Sequence, residues 1–140
     1  MKILGSVGEG TRGVVFDIDN TLYPRSAEYF AQGSRCELEG CAQALGITFD
    51  DFERKFKTKR AAIAATQGRK AAVTETVYSL GVTPEQWSEL RCIAWQPERW
   101  ISPDSEMSAS LAELAGSYSI AFGTNSPIEI GRRVLRVIGI

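Results

Sequence analysis

The chain has 140 residues, with 16 basic and 17 acidic side chains, a formal net charge of −1 and 44% hydrophobic residues. That length suffices for one domain with a modest core, and the balanced charge implies no bulk attraction to nucleic acid or to a membrane surface. Histidine is absent, which excludes Ser-His-Asp and Cys-His mechanisms, so any proton transfer falls to the acids.

Residues 1–7 can form a short strand, followed by a turn marked by Gly8, Gly10 and Gly13. Val14, Val15, Phe16, Asp17, Ile18 and Asp19 then predict a buried strand that runs into two carboxylates. Residues 26–100 are helical in pattern. Tyr29, Phe30, Leu38, Cys41 and Leu45 fall loosely on one face, ending at Gly46. Thr48 with Asp51 is an acidic capping box, and Phe52, Phe56 and Ile63 follow at helical spacing up to Gly68. Val73, Val77 and Leu80 make another stripe, closed by Gly81. Thr83, Pro84 and Gln86 start a further helix, continued by Trp87, Leu90 and Ile93.

Ser102 and Pro103 predict a helix start, with Met107, Leu111, Leu114 and Ala115 on its apolar face and Gly116 as its stop. Residues 118–122 form a second strand. Ser126, Pro127 and Glu129 predict another capping box, and Ile130, Val134, Leu135 and Ile138 the buried stripe of the helix it opens, with Gly139 at its end. Strand, helices, strand, helix in that order predict an open α/β fold with a parallel sheet. The three cysteines, Cys36, Cys41 and Cys92, lack zinc-ligand spacing and read as small buried apolar residues. No apolar run could span a bilayer and no signal-peptide pattern opens the chain, so a cytoplasmic location is expected.

The chemistry lies at the two strand ends. Alternation along an extended chain sends Asp17 and Asp19 to the same side. Two like charges that close need a cation or a shared proton. In an open α/β sheet, ligands sit beyond the carboxyl ends of the strands. Thr124 and Asn125 follow the second strand, so both polar clusters can converge there.

The run Phe16, Asp17, Ile18, Asp19, Asn20, Thr21, Leu22, Tyr23, Pro24 resembles the first motif of the haloacid dehalogenase (HAD) superfamily. Its longer form is similar to the pyrimidine 5′-nucleotidase-like branch of phosphatases. The run from Tyr118 to Ser126, an apolar strand ending in Thr124 and Asn125, resembles the second motif. The resemblance implies a partial Rossmannoid core at residues 1–24 and 101–140, with an inserted α-helical cap at residues 25–100. It implies Asp17 as the nucleophile of an aspartyl-phosphate and Asp19 as the acid and then the base. Mg²⁺ would be held by the Asp17 carboxylate and the Asp19 main-chain carbonyl, with water completing the octahedron. Thr124 would bind a phosphoryl oxygen, aided by N–H groups near Asn125 and by the helix N-terminus at Pro127. Dehalogenases of the superfamily lack the second Asp, so a phosphatase acting on a small phosphomonoester, such as a nucleotide, is implied.

The superfamily also uses a Lys and a second acidic pair. Here the last lysine is Lys70, and the only acid after Thr124 is Glu129. The match therefore covers the N-terminal part of the family's length, and a C-terminally truncated, impaired enzyme is the expectation. Its alternative is a non-catalytic remnant or split protein that binds phosphate or a partner chain. Arg132, Arg133 and Arg136 are candidate substitutes for the Lys, although helix-face arginines are usually solvated. A first strand left open on one side implies either that residues 2–7 fold back beside it or that two chains pair edges as a homodimer.

Arg54, Lys55, Lys57, Lys59 and Arg60 read as a solvated helix face with Phe56 in the core, and no nucleic-acid partner is expected. Arg69 and Lys70, beside Gly68, could face the active site from the cap. Tyr23 either lines a substrate entrance or packs. Trp87, Trp95 and Trp100 read as core residues or contacts between cap and core.

Overall fold

Capping and turn chemistry set most of the element limits. The structure, a computed structural model, describes residues 10–24 and 26–140. In chain order these form β1 (Gly13–Asp17), α1 (Ala27–Ala44), α2 (Phe49–Gln67), α3 (Val73–Ser79), α4 (Pro84–Ala94), a short 3-10 turn (Pro97–Arg99), α5 (Ser105–Ala115), β2 (Ser119–Gly123) and α6 (Ile128–Ile138). The described residues are thus mostly helical, with a two-stranded parallel sheet, a mixed α/β arrangement. Among them no helix is long and apolar enough to cross a membrane. The strand expected at residues 2–7 lies outside the described residues.

Thr48 caps α2 by accepting the Asp51 N–H at 3.2 Å, and Gly68 closes that helix at φ 63°. Thr83 and Gln86 cap α4 reciprocally around Pro84. Each such cap contributes about 1 kcal/mol. One start differs from the expectation. α5 begins at Ser105, because the Asp104 carboxylate accepts the Met107 N–H at 2.8 Å. A carboxylate at that position also meets the positive end of the helix dipole, an advantage that Ser102 lacks.

Contacts divide the chain into two units, the residues up to Tyr29 together with Gln96–Ile140, and Phe30–Trp95. In the first unit, β1 and β2 pair in parallel from Gly13 opposite Ser119 to Asp17 opposite Gly123. Phe16 and Phe122 lie opposite each other, ring centroids 6.3 Å apart. The expectation of a buried strand is corrected here: β1 alternates, with Val14 and Phe16 half-buried while Val15 is 72% exposed. Only one face of the pair is packed, so an unbroken apolar run does not imply burial on both faces.

α6 buries Ile130, Val134 and Ile138, and Leu135 is only half-buried. The Ser108 hydroxyl donates to the Gly139 carbonyl at 2.7 Å, tying α5 to the end of α6. Arg133 donates to both oxygens of Glu98 at 2.6 Å. That guanidinium holds the Glu98 carboxyl below its ordinary range. Leu111 is the buried residue of α5, with Met107 and Leu114 half-buried beside it and Ala115 exposed.

The second unit has its own core of Cys41, Ala42, Phe52, Phe56, Val77, Val82 and Trp87. Burying each large apolar side chain contributes about 1.5–3 kcal/mol. Phe52 and Phe56 stack at 5.9 Å, while Arg54 and Lys57 pair with Asp51 and Glu53 on the outer side of the same helix. Arg69 pairs with Glu75.

Two glycines of α1 leave room for bulky side chains of Leu90 and Trp95. A Cβ at Gly33 would lie 2.5 Å from the Trp95 ring, and one at Gly40 2.5 Å from Leu90. Between them Glu37, 6% exposed, accepts the Trp95 indole N–H at 2.7 Å and stands 3.7 Å from Arg91. A buried carboxylate is tolerable only with such partners. Phe30 and Ile93, expected on apolar stripes, are 52% and 68% exposed. Cys41 is buried, but Cys36 and Cys92 are only half-buried.

Burial pushes the Cys41 thiol from 9.0 up to about 12, with the Glu37 carboxylate adding to the effect. An unfolded chain releases that proton near its ordinary value, and the folded chain holds it. The resulting stabilisation is complete below pH 9.0 and is lost as pH rises towards about 12. Urea midpoints should therefore fall between pH 8 and pH 10 more steeply for the wild type than for Cys41→Ala; equal slopes would contradict this. Gly33→Ala should destabilise the second unit by about 1–3 kcal/mol, because the Trp95 ring is held by Glu37 and cannot yield freely. Urea denaturation followed by tryptophan fluorescence measures it, and an unchanged midpoint would refute the close seating of the Trp95 ring on Gly33.

Candidate functional site

Because β1 and β2 run parallel, their carboxyl ends lie together, with Asp17 opposite Gly123. One further ladder bond follows, from Ile18 N–H to the Gly123 carbonyl at 3.2 Å. The chain then turns: the N–H groups of Thr21 and Leu22 both donate to the Ile18 carbonyl, at 3.3 and 3.1 Å. Asn20 makes this possible at φ 59°, a left-handed conformation that Asn tolerates better than most residues. The turn brings Tyr23 back beside Asp19 as an isolated bridge pair.

Asp19 is the hub. Its Oδ1 accepts the Tyr23 hydroxyl at 2.6 Å, and its Oδ2 accepts the hydroxyls of Thr124 and Ser126, each at 3.2 Å. An ionised carboxylate offers about four lone-pair sites, so three donors fit. Thr124 is fixed in turn, its Oγ1 accepting the Ser126 N–H at 3.0 Å. Residues 105 positions apart thus meet on one carboxylate.

Asp17 behaves differently. It is exposed and accepts the Thr21 hydroxyl at 3.2 Å. β1 ends at Asp17, and Asp19 stands in the turn beyond it, bonded to a separate set of groups. Asn125 is exposed and takes no part in the cluster around Asp19.

Two members of the cluster were not assigned to it from sequence. Ser126 read as a helix cap, but Pro127 takes the N-cap position of α6 with no side-chain cap bond. The Ser126 hydroxyl is on Asp19 instead. A hydroxyl two residues after Thr124 was the available signal. Tyr23 was left between an entrance and a packing role. It is 5% exposed, with its ring 6.5 Å from that of Tyr29, which stacks on Trp100 at 6.0 Å. It packs, and its hydroxyl orients Asp19. Trp100 remains 40% exposed.

α6 reaches the cluster through Gly131, which is buried. A Cβ there would lie 3.2 Å from Thr124 Cγ2 and 3.3 Å from Ile18 Cδ1. Two of the three candidate arginines pair with acids, Arg132 with Glu129 at 3.1 Å and Arg133 with Glu98. A cavity of about 500 Å³ borders the same loop, lined by Leu22, Tyr23, Pro24, Trp100, Asp104 and Glu106 among others.

Mg²⁺ is held through one or two carboxylates and keeps several waters. The exposed carboxylate of Asp17 is a donor of that kind. Among the described residues no group of three or more acid, His or Cys side chains gathers to hold a metal.

No protein-family model, curated protein or solved structure matches the chain.

Gly131→Val should destabilise the first unit by about 1–3 kcal/mol, since its branches would press on Thr124 and Ile18. Chemical denaturation checks this, and a wild-type midpoint would contradict the close seating of α6.

Proposed function

We propose that this chain is a HAD-like phosphohydrolase with a Rossmannoid core and an inserted helical cap, acting on a small phosphomonoester such as a nucleotide. The observation that carries the reading is the meeting of Thr124 and Ser126 with Asp19 beyond the carboxyl ends of two paired parallel strands. Ligands of open α/β sheets bind at such ends.

In this reading the exposed Asp17 carboxylate attacks phosphorus, forming a phosphoaspartate while the bond to the leaving oxygen breaks. Asp19, aimed by its hydroxyl contacts, delivers the proton to that oxygen. It then takes a proton from water, which attacks phosphorus and releases phosphate with Asp17 restored. Thr124 orients a phosphoryl oxygen. Mg²⁺, when bound at Asp17 and the Asp19 carbonyl, would neutralise the charge gathered there.

A second reading, a protein that binds phosphate or a partner chain without turnover, draws on a separate observation. Arg132 and Arg133, two of the three arginines that could replace the superfamily's Lys, are paired with acids.

One assay separates the two. Turnover of p-nitrophenyl phosphate with Mg²⁺ should fall on the order of a hundredfold or more in Asp17→Asn. Equal rates in both proteins would reject the enzyme.

A further inference from the structure

Thr124 and Ser126 each carry a single hydroxyl proton, and a hydroxyl can donate it to one acceptor at a time. Both are given to the same oxygen, Asp19 Oδ2, at 3.2 Å. The Thr124 oxygen is in turn held by the Ser126 N–H. The pair is therefore a preassembled oxyanion seat, and a carboxylate oxygen sits on it. The other oxygen of that carboxylate is anchored separately, by the buried Tyr23 at 2.6 Å.

We propose that the carboxylate of Asp19 is an internal competitor for the phosphoryl site: Ser126 is a phosphate ligand beside Thr124, and a tetrahedral oxyanion binds by displacing Asp19 Oδ2 from both hydroxyls. The inference rests on the reading that Thr124 receives a phosphoryl oxygen. It adds a second ligand, Ser126, and a built-in restraint on the site. Displacement leaves Asp19 attached at Oδ1 to Tyr23, so the carboxylate swings about that bond without leaving the site. Tyr23 is itself fixed by the stack of Tyr29 on Trp100. An anion thus gives Asp19 its freedom of movement as it takes the seat, which couples occupancy to the mobility of the acid.

Inorganic phosphate titrated calorimetrically into the full chain tests this without requiring turnover. Asp19→Ala frees both hydroxyls and should bind phosphate about tenfold more tightly than wild type. Asp17→Ala also removes a negative charge, but from a carboxylate bonded to Thr21, and should gain less than about threefold. Adding Ser126→Ala to Asp19→Ala should weaken phosphate binding about fivefold. Asp19→Asn, which keeps the side-chain volume, is compared with Asp17→Asn in the same way if the alanine variant does not fold. An Asp19 variant that binds phosphate no more tightly than wild type would overturn the proposal. So would an equal gain from the Asp17 variant, which would mean simple charge removal. Tighter binding by Asp19→Ala together with turnover indifferent to Asp17→Asn would sink the enzyme reading and leave this one standing. Turnover that depends on Asp17, with phosphate affinity indifferent to Asp19, would sink this one alone.

Discussion

The parallel register of β1 against β2 is the constraint on which the site depends. It sets Asp17 opposite Gly123, and the extra bond from Ile18 to Gly123 carries the pairing one residue further. Thr124 and Ser126 follow at once, within reach of Asp19. Strand side chains alternate faces, so a slip of one residue would turn Phe122 away from Phe16 and carry Thr124 off the carboxylate. α6 then secures the arrangement from one side. Its buried Gly131 admits Thr124 and Ile18 to close contact, and its stripe of Ile130, Val134 and Ile138 holds it in place.

The site is polar in an unusual way for a carboxylate pair. Among the described residues, Asp19 is supported by three neutral hydroxyls. Hydrogen bonds to a charged acceptor contribute more than those between neutral groups, so the hydroxyls can orient Asp19 firmly. Two basic side chains of the first unit hold acids elsewhere, Arg133 clamping Glu98 and Arg132 pairing with Glu129.

The helical unit solves a different problem. Gly33 and Gly40 of α1 make room for the Trp95 ring and for Leu90, and the Glu37 carboxylate between them is buried. The indole N–H of Trp95 and the guanidinium of Arg91 compensate that charge. The same carboxylate acts on the neighbouring Cys41 thiol, whose proton is retained mainly through burial. Packing and electrostatics in this unit are thus coupled through one helix face.

Local signals in the sequence were reliable where the physics is local. The caps at Thr48 and Thr83 and the helix ends at Gly68 and Gly139 depend on a few adjacent residues and stand where expected. Two strands pair in parallel as expected, although β1 ends at Asp17, short of Asp19. Burial was less legible: Val15, Phe30 and Ile93 are apolar but exposed, because packing on a face depends on which element covers it. The helix start at Asp104 and the loss of Ser126 as a cap have the same origin, a competing partner that periodicity does not record. By itself the sequence determined the elements and marked Asp17, Asp19 and Thr124 as chemistry-bearing residues. Only the tertiary structure separated the two acids, leaving Asp17 exposed and giving Asp19 the hydroxyls of Tyr23, Thr124 and Ser126. The reason is range: a hydrogen bond spanning 105 residues exists only once the two strands have paired.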